Sequence, residues 1–312
     1  MAGYTPAAGV PNLNTLGHIP TLYAARLLVE FYNTTVLGEI ANTDYEGMIK
    51  QKGDTVRIRS LPDIVIRDYV PGQNLVYETP APSYVDLVID QGKYFALSLN
   101  KVQEVQSDIQ IRSAWAEHGA QKLKIAIDSD FLADIVSDSH ASNLGATAGA
   151  ISGDINLGAS GAPVDLAPES DTGVTGVVDF IANCGLILDE QNIPETGRWM
   201  VIPGWMGNFI KRSQLKDASL SGDSVTPLRN GKLGMVDRFM LYVSNQISTT
   251  SADSAWSCPF GHQIGLSFAS QIVESETIKN PTDFGDLLRA LQVYGWKVTK
   301  SEALGTAYVA KG

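Results

Sequence analysis

The chain has 312 residues, of which 44% are hydrophobic and 18% are charged, so it can form one large domain or two ordinary ones. So few charges are typical of a surface that neighbouring subunits cover, although an ordinary monomer with a neutral surface would have the same composition. The formal net charge of −11 argues against a dedicated DNA- or RNA-binding role, because an acidic surface repels phosphate.

The first fifty residues are predicted to form an N-terminal arm and one short helix. Residues 1–20 are rich in Gly, Pro and Asn without a period, which indicates an extended arm. Apolar residues at near-helical spacing predict a helix over residues 21–33. Residues 36–44 are predicted to be a short extended piece. We predict neither a signal peptide nor a membrane span, because no basic start and no apolar stretch of sufficient length is present.

A long two-armed hairpin is predicted over residues 51–100. Polar and apolar residues alternate over 55–59 and again over 84–90, which is the period of a half-buried strand. Residues 62–82 are rich in Pro, Gly, Asn and Tyr and predict a turn-rich tip. Arms of about 15 residues would project roughly 50 Å, and a lone two-stranded hairpin is barely stable in water. We therefore expect the hairpin to lie on a second copy of the chain.

The predicted hairpin carries charges of both signs and several tyrosines. Mixed charges would fix its register against a neighbouring subunit and prevent indiscriminate pairing of strand edges. Ordinary solvation explains the same charges equally well. The predicted inter-subunit contact residues are Arg57, Arg59, Asp63, Arg67, Asp68, Tyr69, Tyr77 and Glu78.

One long helix, called the spine helix below, is predicted over residues 107–138. Ser107 and Gln110 fit a capping box, with Ser at the N-cap and Gln at N3. Every fourth residue along the helix is apolar or small, which predicts a slowly drifting stripe for packing. The stripe consists of Trp115, Gly119, Leu123, Ile127, Phe131 and Ile135. About 32 residues would give a helix roughly 48 Å long, on which other elements can pack.

The second half of the chain is predicted to alternate short helices with apolar strands, as in a compact α/β domain. A Gly-, Ala- and Ser-rich loop with one short strand at 154–157 comes first. The predicted helices are 175–191 and 205–212, and the predicted strands are 199–202, 239–243, 262–268, 289–300 and 307–309. We expect the last two strands to pack beside the spine helix. Residues 175–272 would then be an insertion between two parts of a discontinuous domain, residues 101–174 and 273–312.

No known catalytic or metal-binding motif stands in the sequence. The four histidines lack metal-ligand spacing, and there is neither a phosphate-binding glycine loop nor a nucleophile elbow. Cys184 or Cys258 with a histidine could form a nucleophilic pair, but isolated Cys and His occur in nearly every protein. We predict that Cys184 is a buried small hydrophobe and that there is no disulfide. The prediction is no catalytic residue, no cofactor and no metal.

A run of acidic residues in the predicted spine helix is the one cluster that suggests a site. Asp130, Asp134 and Asp138 share one helix face, with Asp128 and His140 nearby. One interpretation is a cation site or a pair of carboxylates for acid–base chemistry. The other is a solvated acidic face, or an edge that meets a basic patch on a neighbouring subunit. We favour the second, because calcium sites usually need a loop with a glycine at its turn.

The order of these elements is similar to that of a known family. Residues 51–58, with the sequence QKGDTVRI, resemble the start of that family's extended loop. Residues 189–194 and 197–203 resemble the helix and the following strand of its axial domain, and residues 261–269 resemble the strand that leaves it. Over nearly its whole length, the chain resembles the major capsid proteins of tailed bacteriophages, which have the Hong Kong 97-like fold.

The resemblance implies an α+β fold with an N-terminal arm (1–50), an extended hairpin loop (51–100), a peripheral domain with the spine helix, and an axial domain (175–272). Hexamers and pentamers would tile an icosahedral shell, the virion capsid, around double-stranded DNA that is enclosed without specific binding. The hairpin would reach over an adjacent subunit. Assembly would take place in the cytoplasm of a bacterial host, with a portal protein at one vertex and room for a decoration protein.

Two features of the chain differ from those of some members of that family. Some relatives are crosslinked through a lysine near the tip of the extended loop, and residues 54–92 contain no lysine. Some carry a fused scaffolding segment, whereas here the arm and hairpin occupy the residues before the spine helix. A separate scaffolding protein is therefore implied, with self-assembly without one as the alternative. The alternatives are an encapsulin-like compartment with enzyme cargo, a soluble hydrolase acting through Cys184 or the aspartates, and another phage part such as a tail-tube or decoration protein.

Overall fold

The computed structural model describes residues 35–44, 55–60, 64–81, 83–100, 111–213, 234–250, 255–281 and 284–312. The predicted arm, the predicted helix over 21–33 and the predicted cap at Ser107 lie outside these ranges. Within them, the helices are α1 (Leu37–Ile40), α2 (Ile111–Asp134), α3 (Val177–Glu190) and α4 (Gly204–Arg212). The strands there are β1 (Thr55–Ser60), β2 (Ser83–Val88), β3 (Gln91–Asn100), β4 (Val164–Ala167), β5 (Thr175–Gly176), β6 (Arg198–Ile202), β7 (Met235–Val236), β8 (Phe239–Val243), β9 (Thr249–Thr250), β10 (Ala255–His262), β11 (Leu266–Lys279), β12 (Gly285–Val298) and β13 (Leu304–Lys311).

The largest sheet has eight strands, and its two faces contribute to two different cores. The strand order is β5-β4-β13-β10-β6-β8-β7, with β9 paired to β10. Every residue of β6 is buried, as expected for a central strand with both faces covered. Met200 and Ile202 join the first core, which includes the apolar faces of α3 and α4. Trp199 and Val201 join the second core.

The second core lies where α1 and α2 meet the three-stranded sheet β11-β12-β3. Phe131 of α2 makes edge-to-face contacts with Phe268 and Trp296, at ring-centroid distances of 6.4 and 5.6 Å. Tyr294 stacks on Trp296 and directs its hydroxyl to Asp130, 3.4 Å away. The predicted spine helix is confirmed over residues 111–134, and a 3-10 turn over Ile135–Asp138 continues it to its predicted end.

The predicted hairpin is correct in place but wrong in length. Among the residues that the structure describes, its ladder joins β1 to β2 through six residue pairs, from Thr55↔Val88 to Ser60↔Ser83. The rest of the second arm, β3, pairs antiparallel with β12 instead. The two strands of this arm, β2 and β3, are separated by Ile89 and Asp90, and Ile89 is fully buried in a small core with Ala269 and Val293. This contact turns the chain from the hairpin into the sheet.

Two short elements also differ from their predictions. The predicted extended piece over residues 36–44 contains the helical turn α1, because the Asp128 carboxylate accepts hydrogen bonds from the backbone N–H groups that open this turn. The predicted strand at 154–157 is only a single bridge between Ile155 and Ala148. The strand of this loop is β4, whose alternate residues Val164 and Leu166 are buried.

The C-terminal strand differs from its prediction in its partners. The predicted strand at 307–309 is part of β13, which pairs with β10 and β4 in the eight-stranded sheet, while Leu304 at its start packs in the second core with Phe131 and Ile135 of the predicted spine helix. Burial on both of its faces suits a central strand. The predicted strand at 262–268 is the end of β10 and the start of β11, because the His262 side chain accepts a hydrogen bond from Ile264 N and supports a 3-10 turn between them.

Candidate assembly surfaces

The hairpin ladder is apolar on one side and charged on the other. Val56 and Ile58 pack against the small core that contains Leu87 and Ile89. On the outer side, Arg57 binds Asp86 at 2.8 Å, and the Arg57 guanidinium lies 4.1 Å from the centre of an exposed tyrosine ring. The hydrogen bond from Arg57 lowers the pKa of the Asp86 carboxyl, so this pair stays charged at neutral pH.

The hairpin tip, defined as residues 64–81, is exposed at every residue. Its large apolar side chains are between 57% and 89% exposed. They are Ile64, Val65, Ile66, Tyr69, Val70, Leu75, Val76 and Tyr77. Pro71 and Gly72 form its turn, with Gly72 at φ 91 and a hydrogen bond from Gln73 N to Val70 O of 3.1 Å. A run of exposed apolar side chains such as this one is rare on a monomer and is typical of a contact surface.

The predicted contact residues fall on this hairpin. Arg57 and Arg59 lie on the exposed side of β1, and five of the others lie in the tip. Glu78 accepts a hydrogen bond from Val65 N at 2.9 Å and also binds Arg67, so it joins the two sides of the tip. Asp63 lies outside the described residues. Contact of these side chains with a neighbouring subunit stays a prediction.

The predicted stripe of the spine helix divides between a core and a surface. Ile127, Phe131 and Ile135 are buried in the second core, and Leu123 packs against its edge. Trp115 is 39% exposed. It stands at a groove of about 590 Å³ between α2 and β3 that the sequence did not indicate. The stripe divides because its four-residue spacing drifts around the helix, so its two ends face different surroundings.

Asp128 differs from the other acidic residues of the predicted cluster, because it is buried whereas Asp134 and Asp138 are exposed. Asp128 is buried and accepts hydrogen bonds from the N–H groups of Val36 and Leu37, at 3.1 and 2.9 Å. Asp130 instead binds Lys93 at 2.6 Å. Among the residues that the structure describes, no group of three or more His, Cys, Asp or Glu side chains could hold a metal ion. The arrangement therefore favours structural roles for these two aspartates.

Asp128→Ala should lower the free energy of unfolding by about 1–3 kcal/mol, because two buried N–H groups lose their acceptor. Asp128→Asn keeps an acceptor and should be at least as stable as the parent at pH 7. The reason is that burial raises the pKa of Asp128 above 3.8, despite these two hydrogen bonds. The contribution of the carboxyl to stability therefore falls as pH rises from 3.8 through the folded pKa. Urea unfolding of the three forms would measure this, and equal losses in both variants would contradict it.

Neither cysteine is suited to nucleophilic catalysis. Cys184 and Cys258 are both fully buried and unpaired. Burial raises the pKa of each thiol well above its ordinary value, so neither is a thiolate at neutral pH. The prediction that Cys184 is a buried small hydrophobe is confirmed. A substrate cannot reach either sulfur, which removes the basis for a hydrolase working through Cys184.

An ionic cluster around the buried Arg198, which the sequence analysis missed, joins the end of α3 to the start of β6. The Arg198 side chain is fully buried and binds Asp189 at 2.7 Å. It also donates hydrogen bonds to the carbonyl oxygens of Gly185, Ile193 and Pro194. Burial alone would raise the pKa of Asp189, but hydrogen bonds from Arg198 and Arg238 hold it below its usual value. This cluster fixes α3 against the central strand.

Comparison with known proteins identifies the fold. A scan against models of protein families finds no match, and a search among curated proteins finds no significant match. The structure is similar to a chain of Mycobacterium phage Che8, with 24% identity and a TM-score of 0.72 over 92% of this chain and 96% of that one. It is similar to the capsid of the cyanophage P-SCSP1u, with 14% identity and a TM-score of 0.72 over 100% of both chains. The fold is that of a phage capsid chain.

A third solved structure agrees with this capsid fold. The mature capsid of bacteriophage PhiM1 has 15% identity and a TM-score of 0.66, over 94% of this chain and 92% of that one. The predicted α+β class and the resemblance to phage capsid proteins are thereby confirmed at the level of the fold. Among the described residues, no helix combines the length and the apolar character needed to cross a membrane.

Proposed function

We propose that the chain is the major capsid protein of a tailed double-stranded DNA bacteriophage and has a structural rather than an enzymatic role. The observation that carries this proposal is the end-to-end likeness to capsid chains, without a large unmatched part on either side. Copies of the chain would associate as hexamers and pentamers and close into an icosahedral shell. The exposed apolar tip supports this, because a shell subunit has neighbours that cover such a surface.

Different parts of the fold would form different domains of the shell subunit. The three-stranded sheet and α2 would form the peripheral domain, and the hairpin would extend from it over an adjacent subunit. The eight-stranded sheet with α3 and α4 would form the axial domain at the centre of each hexamer or pentamer. Because β4 and β13 belong to this sheet, the axial domain would include residues 164–167 and 304–311 in addition to the central part of the predicted 175–272 segment.

The partners of the chain would be the other proteins that build a phage capsid. A separate scaffolding protein would guide assembly in the host cytoplasm, a portal protein would occupy one vertex, and a decoration protein could bind outside. The net charge of −11 suits a wall that encloses DNA without binding it specifically.

Expression of the chain, alone and together with its scaffolding protein, tests the proposal. We expect closed, uniform shells of tens of nanometres in negative-stain electron micrographs and a single fast-sedimenting species in velocity centrifugation. Because each subunit contacts several others, the yield of shells should also rise steeply with protein concentration. A compact monomer under every condition, including with the scaffolding protein present, would contradict the proposed function.

A further inference from the structure

We propose that the small core at the base of the hairpin fixes the angle at which the hairpin leaves the three-stranded sheet, and that this angle sets the diameter of the shell. The small core consists of Leu87, Ile89, Ala269 and Val293, and Gly295 is the strand partner of Ala269. This inference rests on the proposed function, since it assumes that copies of the chain form a shell. It goes further by naming the residues of one subunit that determine the size of the particle.

The hairpin lies directly on the backbone of the three-stranded sheet at Gly295. A Cβ added to this glycine would overlap the carbonyl oxygen of Val88 and would lie 3.2 Å from the Cα atom of Ile89. Because these are backbone atoms, no change of a side-chain rotamer could make room for it. Gly295 lies within β12 and has no positive φ. The close approach of the hairpin, rather than an unusual backbone conformation, is therefore what requires glycine here.

Both strands of the hairpin take part in its attachment. Leu87 and Ile89, on either side of Val88, are fully buried in the small core. From β1, Val56 and Ile58 pack against the same core. Since the contact includes residues of both strands, the hairpin cannot rotate about either strand alone without opening the small core. The ladder is therefore held to the sheet at a defined angle.

A small movement at this contact would be enlarged along the hairpin. The ladder of six pairs extends roughly 17 Å from the base, and the tip lies beyond it. To admit a Cβ on Gly295, the backbone at Val88 would have to move by roughly 1 Å. Successive residues on one face of a strand are about 7 Å apart. Such a movement would therefore tilt the hairpin by on the order of 10° and displace the far end of the ladder by a few Å.

The angle of the hairpin matters for a shell in which each hairpin extends over an adjacent subunit. The direction of the hairpin then determines the angle between neighbouring subunits. The number of subunits that closes a shell depends on this angle, because the repeated rotation must return to its starting point. A tilt that recurs at every contact would therefore change the diameter of the shell or prevent its closure. It would leave the exposed contact surface of the tip unchanged.

The variant Gly295→Ala tests this inference, with Gly285→Ala as its matched control. Gly285 is the first residue of β12, where an added Cβ would overlap the carbonyl oxygen of Leu99 in the same way. Both variants crowd one strand, but only Gly295→Ala crowds the hairpin. In electron micrographs, Gly295→Ala should form shells whose mean diameter differs from that of the parent by at least about 10%, or open sheets. Gly285→Ala should form shells of the parent diameter.

The angle itself can be measured by pulsed electron spin resonance on the full-length chain, at a protein concentration below that of shell formation. Arg59→Cys and Lys124→Cys, both at exposed positions, would place one spin label near the far end of the ladder and one on α2. The two natural cysteines are buried and should not react. The mean distance between the labels should shift by a few Å in Gly295→Ala and keep the parent value in Gly285→Ala.

Several results would overturn the inference, and they can be told apart. An unchanged label distance in Gly295→Ala, or an equal shift in the control, would exclude the small core as the element that fixes the angle. A shifted distance with shells of the parent diameter would break the link between hairpin angle and shell size. Failure of the unmodified chain to form shells would overturn the proposed function together with the claim on shell size, whichever label distance is found.

A second variant covers the case in which Gly295→Ala does not fold. Ile89→Val removes one buried methylene group from the small core and leaves the backbone contact unobstructed. This variant should loosen the attachment, so both the distribution of label distances and the range of shell diameters should become broader than those of the parent. Distributions as narrow as those of the parent would overturn the inference.

Discussion

A subunit without its hairpin tip should fold normally and form no closed shells. Replacement of residues 61–82 by Asn-Gly would join Ser60 to Ser83, the last pair of the ladder, through a two-residue turn. The ladder and both main cores would keep their contacts, since every tip residue is exposed. The variant would lose eight large apolar side chains from each contact. We expect the yield of shells to fall by at least about 100-fold, because the loss recurs at every contact in the shell.

Sedimentation velocity and electron microscopy would measure this yield, and circular dichroism would show that the subunit is folded. A matched control keeps the tip and its length but changes residues away from it, for example Ile151→Ser on an exposed loop. That control should form shells at the parent yield. Shells of normal yield and stability from the tip-less variant would show that the tip is not an assembly surface.

Local periodicity was sufficient to predict the elements whose environment is uniform along their length. In α3 and β6, burial explains the pattern of apolar residues directly. The pairing of strands could not be predicted in this way. Over residues 84–90, polar and apolar side chains alternate without interruption through β2 and the two residues that follow it. Nothing local shows that the chain turns at Ile89, because its burial depends on Val293, which is distant in sequence.

The role of single charged residues was equally hidden in the sequence. Asp128 and Asp130 are two residues apart in the same helix, yet one is buried against Val36 and the other binds Lys93. Their difference depends on a segment 92 residues away from Asp128. A local signal for the Arg198 cluster did exist. That signal is an arginine at the start of an otherwise apolar strand, nine residues after an aspartate near a helix end.

Prediction of functional surfaces from the sequence was limited in the same way. Composition and alternation placed an exposed hairpin correctly, because proline, glycine and mixed charges are local features. The groove between α2 and β3 has no local pattern, since α2 contributes Trp115 and Lys122 while β3 contributes Phe95 and Leu97. Only the fold brings these two elements together, through the contact of Gly119 with Phe95.

Replacement of Arg198 by methionine should be the most destabilising of the single changes considered. The side chain is fully buried, and its loss would leave the carbonyl oxygens of Gly185, Ile193 and Pro194 without their donor. It would also remove the buried partner of Asp189. An acceptor that loses its donor costs about 1–3 kcal/mol, and three carbonyl oxygens would lose theirs here. Because a domain is stable by only about 5–15 kcal/mol, we expect a large fall in the midpoint of urea unfolding.

The tip-less subunit is the background for this measurement, because assembly would otherwise add to the apparent stability. The matched control is Arg238→Met, which removes a second arginine from the same carboxylate of Asp189 at 2.9 Å. The Arg238 side chain is 33% exposed, so its loss should cost only about 1 kcal/mol or less. Comparison of the two variants separates the effect of the carbonyl groups from that of the carboxylate. Equal losses of unfolding free energy would mean that the shared carboxylate of Asp189, rather than the three carbonyl groups bound by Arg198, accounts for the stability of the cluster.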